Sequence, residues 1–176
     1  MTTDPLERVS PGIERSPTID LTLRPGDLGQ VVALHGHSYA AIAGFGIEFE
    51  ALVAADLAAF ARRGDALGRI WLARNPSGDV IGSVAVDRSN PSGSAHLRWF
   101  VVDHRRRGAG LGHRLLAAAI EHCDGAGVTE TELWTFQGLD AARALYERHG
   151  FVLAEEQQGD RWGSTVVEQR FVRVGR

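Results

Sequence analysis

Apolar residues recur along the chain with two periods, and the switches between them mark out the elements. Residues 19–24 alternate and stop at Pro25, which predicts a first strand. A helix is predicted to run from there to residue 42, with Asp27 as its N-cap, until Gly44 and Gly46 break it. Apolar residues at 49, 52, 53, 57 and 60 predict a second helix over 49–63, closed by Gly64 and Asp65. Strands follow at 69–73 and 80–86, joined by the hairpin signal Asn75-Pro-Ser-Gly-Asp79. A second turn, Ser89-Asn-Pro-Ser-Gly93, leads into a long strand over 95–102. Leu111, Leu115, Leu116, Ala119, Ile120 and Cys123 form one stripe, which predicts a helix over 110–124 ended by Gly125 and Gly127. A strand at 130–136, a helix at 140–149 stopped by Gly150, and strands at 151–155 and 166–174 complete the pattern. The last two strands are expected to be antiparallel neighbours.

The order β-α-α-β-β-β-α-β-α-β-β sets an antiparallel meander before one β-α-β crossover, so the expected class is a mixed α/β (α+β) sheet. One domain over 19–176 is expected, behind a flexible tail at 1–18 that lacks the apolar core of a secretory signal. The chain has 176 residues, 44% hydrophobic and 23% charged, ordinary values for a soluble domain. No apolar run is long enough to span a membrane, which argues against a membrane partner. The lone Cys123 excludes an internal disulfide and a Cys-rich zinc site, and fits a cytoplasmic location. A net charge of −3 shows no nucleic-acid footprint. Segment 89–120 differs, with five Arg against Asp103 alone. All 19 basic residues of the chain are Arg.

That basic segment carries the chemistry. A strand runs into Arg105, Arg106, Arg107, Gly108, Ala109, Gly110, Leu111, Gly112 and His113, where a helix starts at once. Such a turn aims free backbone N–H groups at one point, at the positive end of the helix dipole. Glycines at 108, 110 and 112 remove the Cβ atoms that would block close approach, and arginines add charge-assisted bonds to phosphate. A pyrophosphate ligand is therefore predicted. A Walker loop is excluded because the chain has no Lys, and a dinucleotide fingerprint fails because His113 stands where its third Gly belongs. The pattern Arg-x-x-Gly-x-Gly fits as Arg107, Gly110 and Gly112.

With Leu115 and Leu116 behind it, this loop resembles the acyl-CoA pyrophosphate loop of the GCN5-related N-acetyltransferases (GNATs). Ala142-Arg-Ala-Leu-Tyr-Glu-Arg-His-Gly-Phe151 resembles that family's second signature. The two stand in the family's order and spacing, and the resemblance covers nearly the whole chain. A narrower resemblance links Gly26-Asp-Leu-Gly-Gln-Val-Val, Leu97-Arg-Trp-Phe, Leu133-Trp-Thr-Phe, Trp162-Gly and Glu168-Gln-Arg-Phe171 to acetyltransferase domains often fused behind a MarR-type winged helix. No such DNA-binding half is expected here. The resemblance implies a GNAT fold, acetyl-CoA as cosubstrate, no metal, and an amine acceptor, with a homodimer compatible. It further implies that backbone groups of Val101 and Val102 pair with the pantetheine arm, that Arg107 to Gly112 with His113 hold the pyrophosphate, and that Tyr146 protonates the departing thiolate. The chain departs from the family at Leu139, where an Asn is frequent seven residues before the Tyr, and at His104, where Pro is frequent.

The acceptor site is less legible. His37, Tyr39 and Trp162 are expected to line it, because polar and aromatic residues there lie near glycines. Candidates for the base that takes the amine proton are His35, His37, Glu48, Glu50, Glu132 and Glu168. His35 and His37 stand two apart on a helix and so point to different faces, which argues against metal ligation. Two alternatives stay open from the residues: a non-catalytic acyl-CoA-binding module and a nucleotide-binding regulatory domain.

Overall fold

The computed structural model describes residues 16–64, 68–88 and 94–175. Its elements are β1 (Thr18–Asp20), α1 (Asp27–Ala43), α2 (Ile47–Arg63), β2 (Gly68–Arg74), β3 (Val80–Asp87), β4 (Ala95–Val102), α3 (Leu111–Gly125), β5 (Glu130–Phe136), α4 (Asp140–Arg148), β6 (Val152–Gly159) and β7 (Val166–Val174). A short 3-10 turn, His104–Arg106, lies between β4 and α3. The strands form one sheet, mixed as the element pattern predicts, in the order β1-β2-β3-β4-β5-β7-β6. Only β4 and β5 run parallel. The expected tail falls largely, and the Ser89–Gly93 turn and Asp65 entirely, outside the described residues.

Each face of the sheet carries its own apolar cluster. Leu111, Leu115, Leu116, Ala119, Ile120 and Cys123 of α3 pack with Leu133, Tyr146, Phe151 and Phe171 on one face. Phe49, Val53, Leu57 and Phe60 of α2 pack with Val31, Phe45, Trp99 and Phe136 on the other. β3 lies between them and is buried along its whole length. Two strands differ from the sequence pattern. β1 stops at Asp20, because the Asp20 carboxylate accepts the backbone N–H of Thr22 and turns the chain off the sheet. β6 continues to Gly159 and is exposed along almost its entire length, so no alternation marked its second half.

Asp27 is not the N-cap of α1. Gly26 takes that place at φ +96°. The Asp27 carboxylate forms a bidentate pair with Arg74, at 2.8 and 2.7 Å, and accepts the Arg24 N–H at 2.6 Å. Both partners are almost fully buried, and Arg74 also donates to Asp20 and to the Thr22 carbonyl. These bonds lower the Asp27 pKa, the Arg74 hydrogen bond most. The start of α1 is thereby pinned to the sheet, which sets where the middle of α1 lies.

One irregularity shapes the centre. Arg98 pairs with Ala85 and Val101 with Ser83, so Trp99 and Phe100 together face Val84 in a β-bulge. Trp99 there has φ +48°, and its carbonyl accepts the Ser83 hydroxyl at 2.7 Å. An extra residue inverts the alternation beyond it. Ala95 and Leu97 face the α3 cluster before the bulge, and Phe100 and Val102 after it. β4 also parts from β5: the two pair only at Ala95↔Thr131 and His96↔Glu132, while β5 stays paired with β7 along its length. A split opens in mid-sheet, and the edge of β4 facing it has no ladder partner beyond His96.

Candidate active site

Two cavities occupy the split. The larger, about 530 Å³, is lined by the β4 end (Phe100, Val101, Val102), the loop Arg106, Arg107, Gly108 and Gly110, the start of α3 (Leu111, Gly112, His113) and α4. The smaller, about 210 Å³, lies among α1, α2, β4, β5 and the β6–β7 turn. Tyr39, Phe100 and Tyr146 line both, so the cavities meet there.

One end of the larger cavity presents arginines and the start of α3. Gly110 caps α3 at φ +75°, and the first bond of that helix is Arg114 N–H to the Gly110 carbonyl. The N–H groups of Leu111, Gly112 and His113 therefore have no partner within the helix. Gly108, at φ +82°, completes a turn that L side chains rarely adopt. A Cβ at Gly112 would stand 3.4–3.7 Å from Phe100, Leu145 and Val102, so this floor is already closely packed. Arg105 is not part of the wall. It folds back on Asp103 at 2.6 Å, which holds the Asp103 carboxyl down at about 2. Arg106 of the turn lines the cavity, as does Arg148, which the sequence reading left unassigned, whereas Ala109 does not. Leu139 does, in the place of the family's Asn. His113 reaches the ring of His149, Nδ1 to Nε2 at 2.9 Å.

At the junction, Tyr146 is buried against Phe100, Phe151 and Phe171. Burial raises its phenol pKa well above the ordinary 10, with a smaller contribution from Tyr39. Burial pushes Tyr39 up to about 12, partly offset by the charge of Arg107. Both phenols are neutral at physiological pH.

The smaller cavity has an aromatic wall that includes Phe49, Trp99, Trp134, Phe136 and Trp162. Trp162 is part of this wall and packs on Phe136 and Phe45. His37 is exposed on α1 and lines neither cavity. His35 lines the smaller one instead. Its Nδ1 lies 2.8 Å from the Val31 carbonyl, which only accepts, so Nδ1 carries the proton. Nε2 is left with a buried lone pair and no partner. Burial pushes the His35 pKa down to about 4. His96, which the sequence reading missed, also lines this cavity, with a pKa pushed down to about 4 by burial first and then by Arg98. Of the six candidate bases only His35 stands on this wall. Glu168 is buried beneath Arg161, Glu132 pairs with Arg170, Glu50 lies against Gly36, and Glu48 is exposed beside Gly163. Among the described residues no three His, Cys, Asp or Glu side chains cluster to hold a metal, and no helix is long and apolar enough to cross a membrane.

Comparison with known proteins places this architecture. None of the curated protein sequences matches the chain. An acetyltransferase of the GNAT family from Staphylococcus aureus Mu50 shares its fold at a TM-score of 0.70 and 16% identity, over 92% of this chain and 100% of that one. The spermidine N-acetyltransferase of Vibrio cholerae, in complex with CoA and spermine, matches at a TM-score of 0.67 and 18% identity, over 90% and 95%. A Bacillus anthracis protein provisionally assigned as a streptothricin acetyltransferase, in complex with acetyl coenzyme A, matches at 0.55 and 22%, over 64% and 65%. The model of the acetyltransferase (GNAT) family matches residues 35–151, a span from His35 on α1 through the loop and Tyr146 to Phe151. The chain belongs to the GNAT acetyltransferase family.

Proposed function

We propose that the protein transfers an acetyl group from acetyl-CoA to a primary amine of a small molecule or peptide. The observation that carries this reading is the pair of cavities meeting at Tyr39, Phe100 and Tyr146, one floored by an anion-binding loop and one walled by aromatic rings. Known proteins that share the fold include enzymes captured with acetyl coenzyme A and with a polyamine, and this supports the assignment of the two cavities to donor and acceptor.

The α3 amides, Arg106 and Arg107 hold the pyrophosphate of acetyl-CoA, and the unpaired edge of β4 at Val101 and Val102 accepts the pantetheine arm as an added strand. This directs the thioester toward Tyr146. The acceptor enters through the smaller cavity, where its nitrogen attacks the thioester carbon. A C–N bond forms, the C–S bond breaks, and the electron pair leaves on sulfur. Tyr146 donates a hydrogen bond to sulfur as that charge builds, and its raised pKa keeps the phenol protonated until the thiolate is fully formed. The amine proton leaves toward solvent through the acceptor wall, where the unpartnered Nε2 lone pair of His35 can relay it. A cytoplasmic setting fits the single buried thiol, Cys123.

The test is release of CoA thiol from acetyl-CoA over a panel of amines. Acetylated product confirmed by mass is expected for at least one amine class. Tight CoA binding without thiol release over the whole panel would favour the non-catalytic acyl-CoA-binding module.

A further inference from the structure

The acceptor cavity has two arginines on its wall, and they are held differently. Arg98 lies over the Trp99 ring, with its Cζ 4.4 Å from the centroid. One of its η nitrogens is taken by Asp56, and the other lies 3.7 Å from Asp87. Its fork is therefore occupied by carboxylates of the protein. Arg161 lies on the Trp134 ring, its Cζ 3.9 Å from the centroid. Glu168, almost fully buried, accepts from the Arg161 backbone N–H at 2.9 Å and from Nε at 3.2 Å. Those bonds engage only the inner edge of the guanidinium. Both η nitrogens have no hydrogen-bond partner among the described residues, and the side chain is 44% exposed. Trp134, on which the guanidinium rests, is itself a wall residue of the cavity.

A planar guanidinium clamped through Nε and stacked on an indole has lost most of its rotational freedom before any ligand arrives. Its remaining edge offers two parallel donors, the geometry that matches a carboxylate. Glu168 neutralises the charge behind it, so the fork is not drawn back into the protein. Asp56, the one acid among the described residues of this wall, is paired with Arg98, so no unpaired carboxylate is described there for a second ammonium group.

We infer that the acceptor is an amino-acid-type molecule, bearing a carboxylate as well as the reacting amine, and that the η nitrogens of Arg161 bind that carboxylate while the aromatic wall takes the side chain. The inference rests on the acetyltransferase reading above. It makes Arg161 a specificity-determining residue and requires no further change in the chemistry of the transfer. The field inside the cavity agrees: both guanidiniums act to lower the His96 pKa, against Asp87 and Asp56.

The experiment uses the full chain and three forms of one acceptor: an L-amino acid, its carboxamide and its decarboxylated amine, in phenylalanine, methionine and leucine series, with putrescine as a diamine control. CoA binding by calorimetry comes first. If CoA does not bind, the acetyltransferase reading itself fails. If CoA binds, at least one free acid should be acetylated with kcat/KM about tenfold to a hundredfold above its amide, the range one charge-assisted fork contributes. Arg161→Gln should raise KM for the acid by a similar factor, leaving KM for the amide and the CoA affinity within about twofold. Arg161→Lys, which keeps the charge and loses the fork, should fall between. Turnover that favours the amides, the decarboxylated amines or putrescine would overturn the inference. So would equal losses for acid and amide in Arg161→Gln. If the variants fail to fold, the acid-to-amide ratio of the wild-type protein decides alone.

Discussion

Replacing Gly112 first with alanine and then with leucine separates the room needed for a methyl group from the room needed for a side chain. Gly112 is the second residue of α3, and its φ is not among the left-handed values that mark Gly108 and Gly110. A Cβ there meets Phe100, Leu145 and Val102 at 3.4, 3.5 and 3.7 Å, ordinary to slightly tight contact. Gly112→Ala should therefore fold well and gain up to about 1 kcal/mol of helix propensity. That amounts to a rise in Tm of at most about 2–4 °C for a chain of this size. Leucine has nearly the same propensity, but its outer atoms have no space in that packed floor and must enter the 530 Å³ cavity. There they would hold the pyrophosphate off the α3 amides, and losing one charge-assisted bond of about 1.5–3 kcal/mol weakens binding by about ten- to a hundredfold. Gly110→Ala gives the opposite sign in stability. Its Cβ meets nothing within 4 Å, yet φ +75° costs about 1–2 kcal/mol for any L side chain. Differential scanning fluorimetry and calorimetric titration with CoA read both quantities. A folded Gly112→Leu protein that binds CoA as tightly as wild type would refute the assignment of this loop.

Tyr146→Phe should lower kcat about a hundredfold and leave acetyl-CoA affinity nearly unchanged, because its hydrogen bond gains strength only as charge reaches sulfur. Wild-type kcat in a folded variant, with chemistry rate-limiting, would remove that role. Asp27→Asn deprives buried Arg74 of its bidentate partner and should cost about 3–5 kcal/mol in urea denaturation, and a loss under 1 kcal/mol would contradict the account of how α1 is anchored. His35 is depressed from the ordinary 6.5 to about 4, so the unfolded chain binds the proton more readily than the fold. Its contribution is thus fully present above about pH 6.5 and lost as pH falls toward 4, by up to about 3 kcal/mol. Wild-type stability should drop between pH 7 and pH 4.5 more steeply than that of His35→Gln, and parallel curves would show that the imidazole is not buried neutral.

The parts of the fold that pack on one face were legible, because a single apolar stripe and its glycine stops define them. α3 is such a case, from Leu111 to Cys123, and its start coincides with the loop that gives the family away. The remainder failed for identifiable reasons. β6 beyond Glu155 runs Glu-Gln-Gln-Gly, and a strand exposed on both faces has no period to read. Asp27 before a helix has the composition of a cap, but the partner that redirects it, Arg74, is distant in sequence. His35 and His37 offered equal claims until the helix was placed. Only its anchoring on the sheet turns His35 inward and leaves His37 in solvent. His96 and Arg98 alternate with the apolar Ala95 and Leu97, and Arg161 stands beside Trp162, so none of the three carried a signal of its own. All three became wall residues because the sheet splits beside them. Nothing in Leu97-Arg-Trp-Phe announces a split, since it holds neither Gly nor Pro.

That split follows from one costly residue. A tryptophan at φ +48° stores about 1–3 kcal/mol, which persists only where the surroundings over-determine it. They do so from three sides: the Ser83 hydroxyl on the Trp99 carbonyl, the Phe60 ring edge-on at 5.1 Å, and the Arg98 guanidinium over the indole. Without the extra residue, the alternation that places Ala95 and Leu97 on the α3 side would continue. Phe100 and Val102 would then turn to the α1–α2 side, and β4 could continue its parallel ladder with β5 past His96. The two consequences of the bulge belong together. Inverting the alternation puts Phe100 beside Tyr146, and parting the strands leaves the edge of β4 beyond His96 without a ladder partner on the side of β5. Two adjoining cavities then stand where a continuous sheet would have run, with free helix amides at one end, imidazoles and two guanidiniums at the other, and two neutral phenols at the junction.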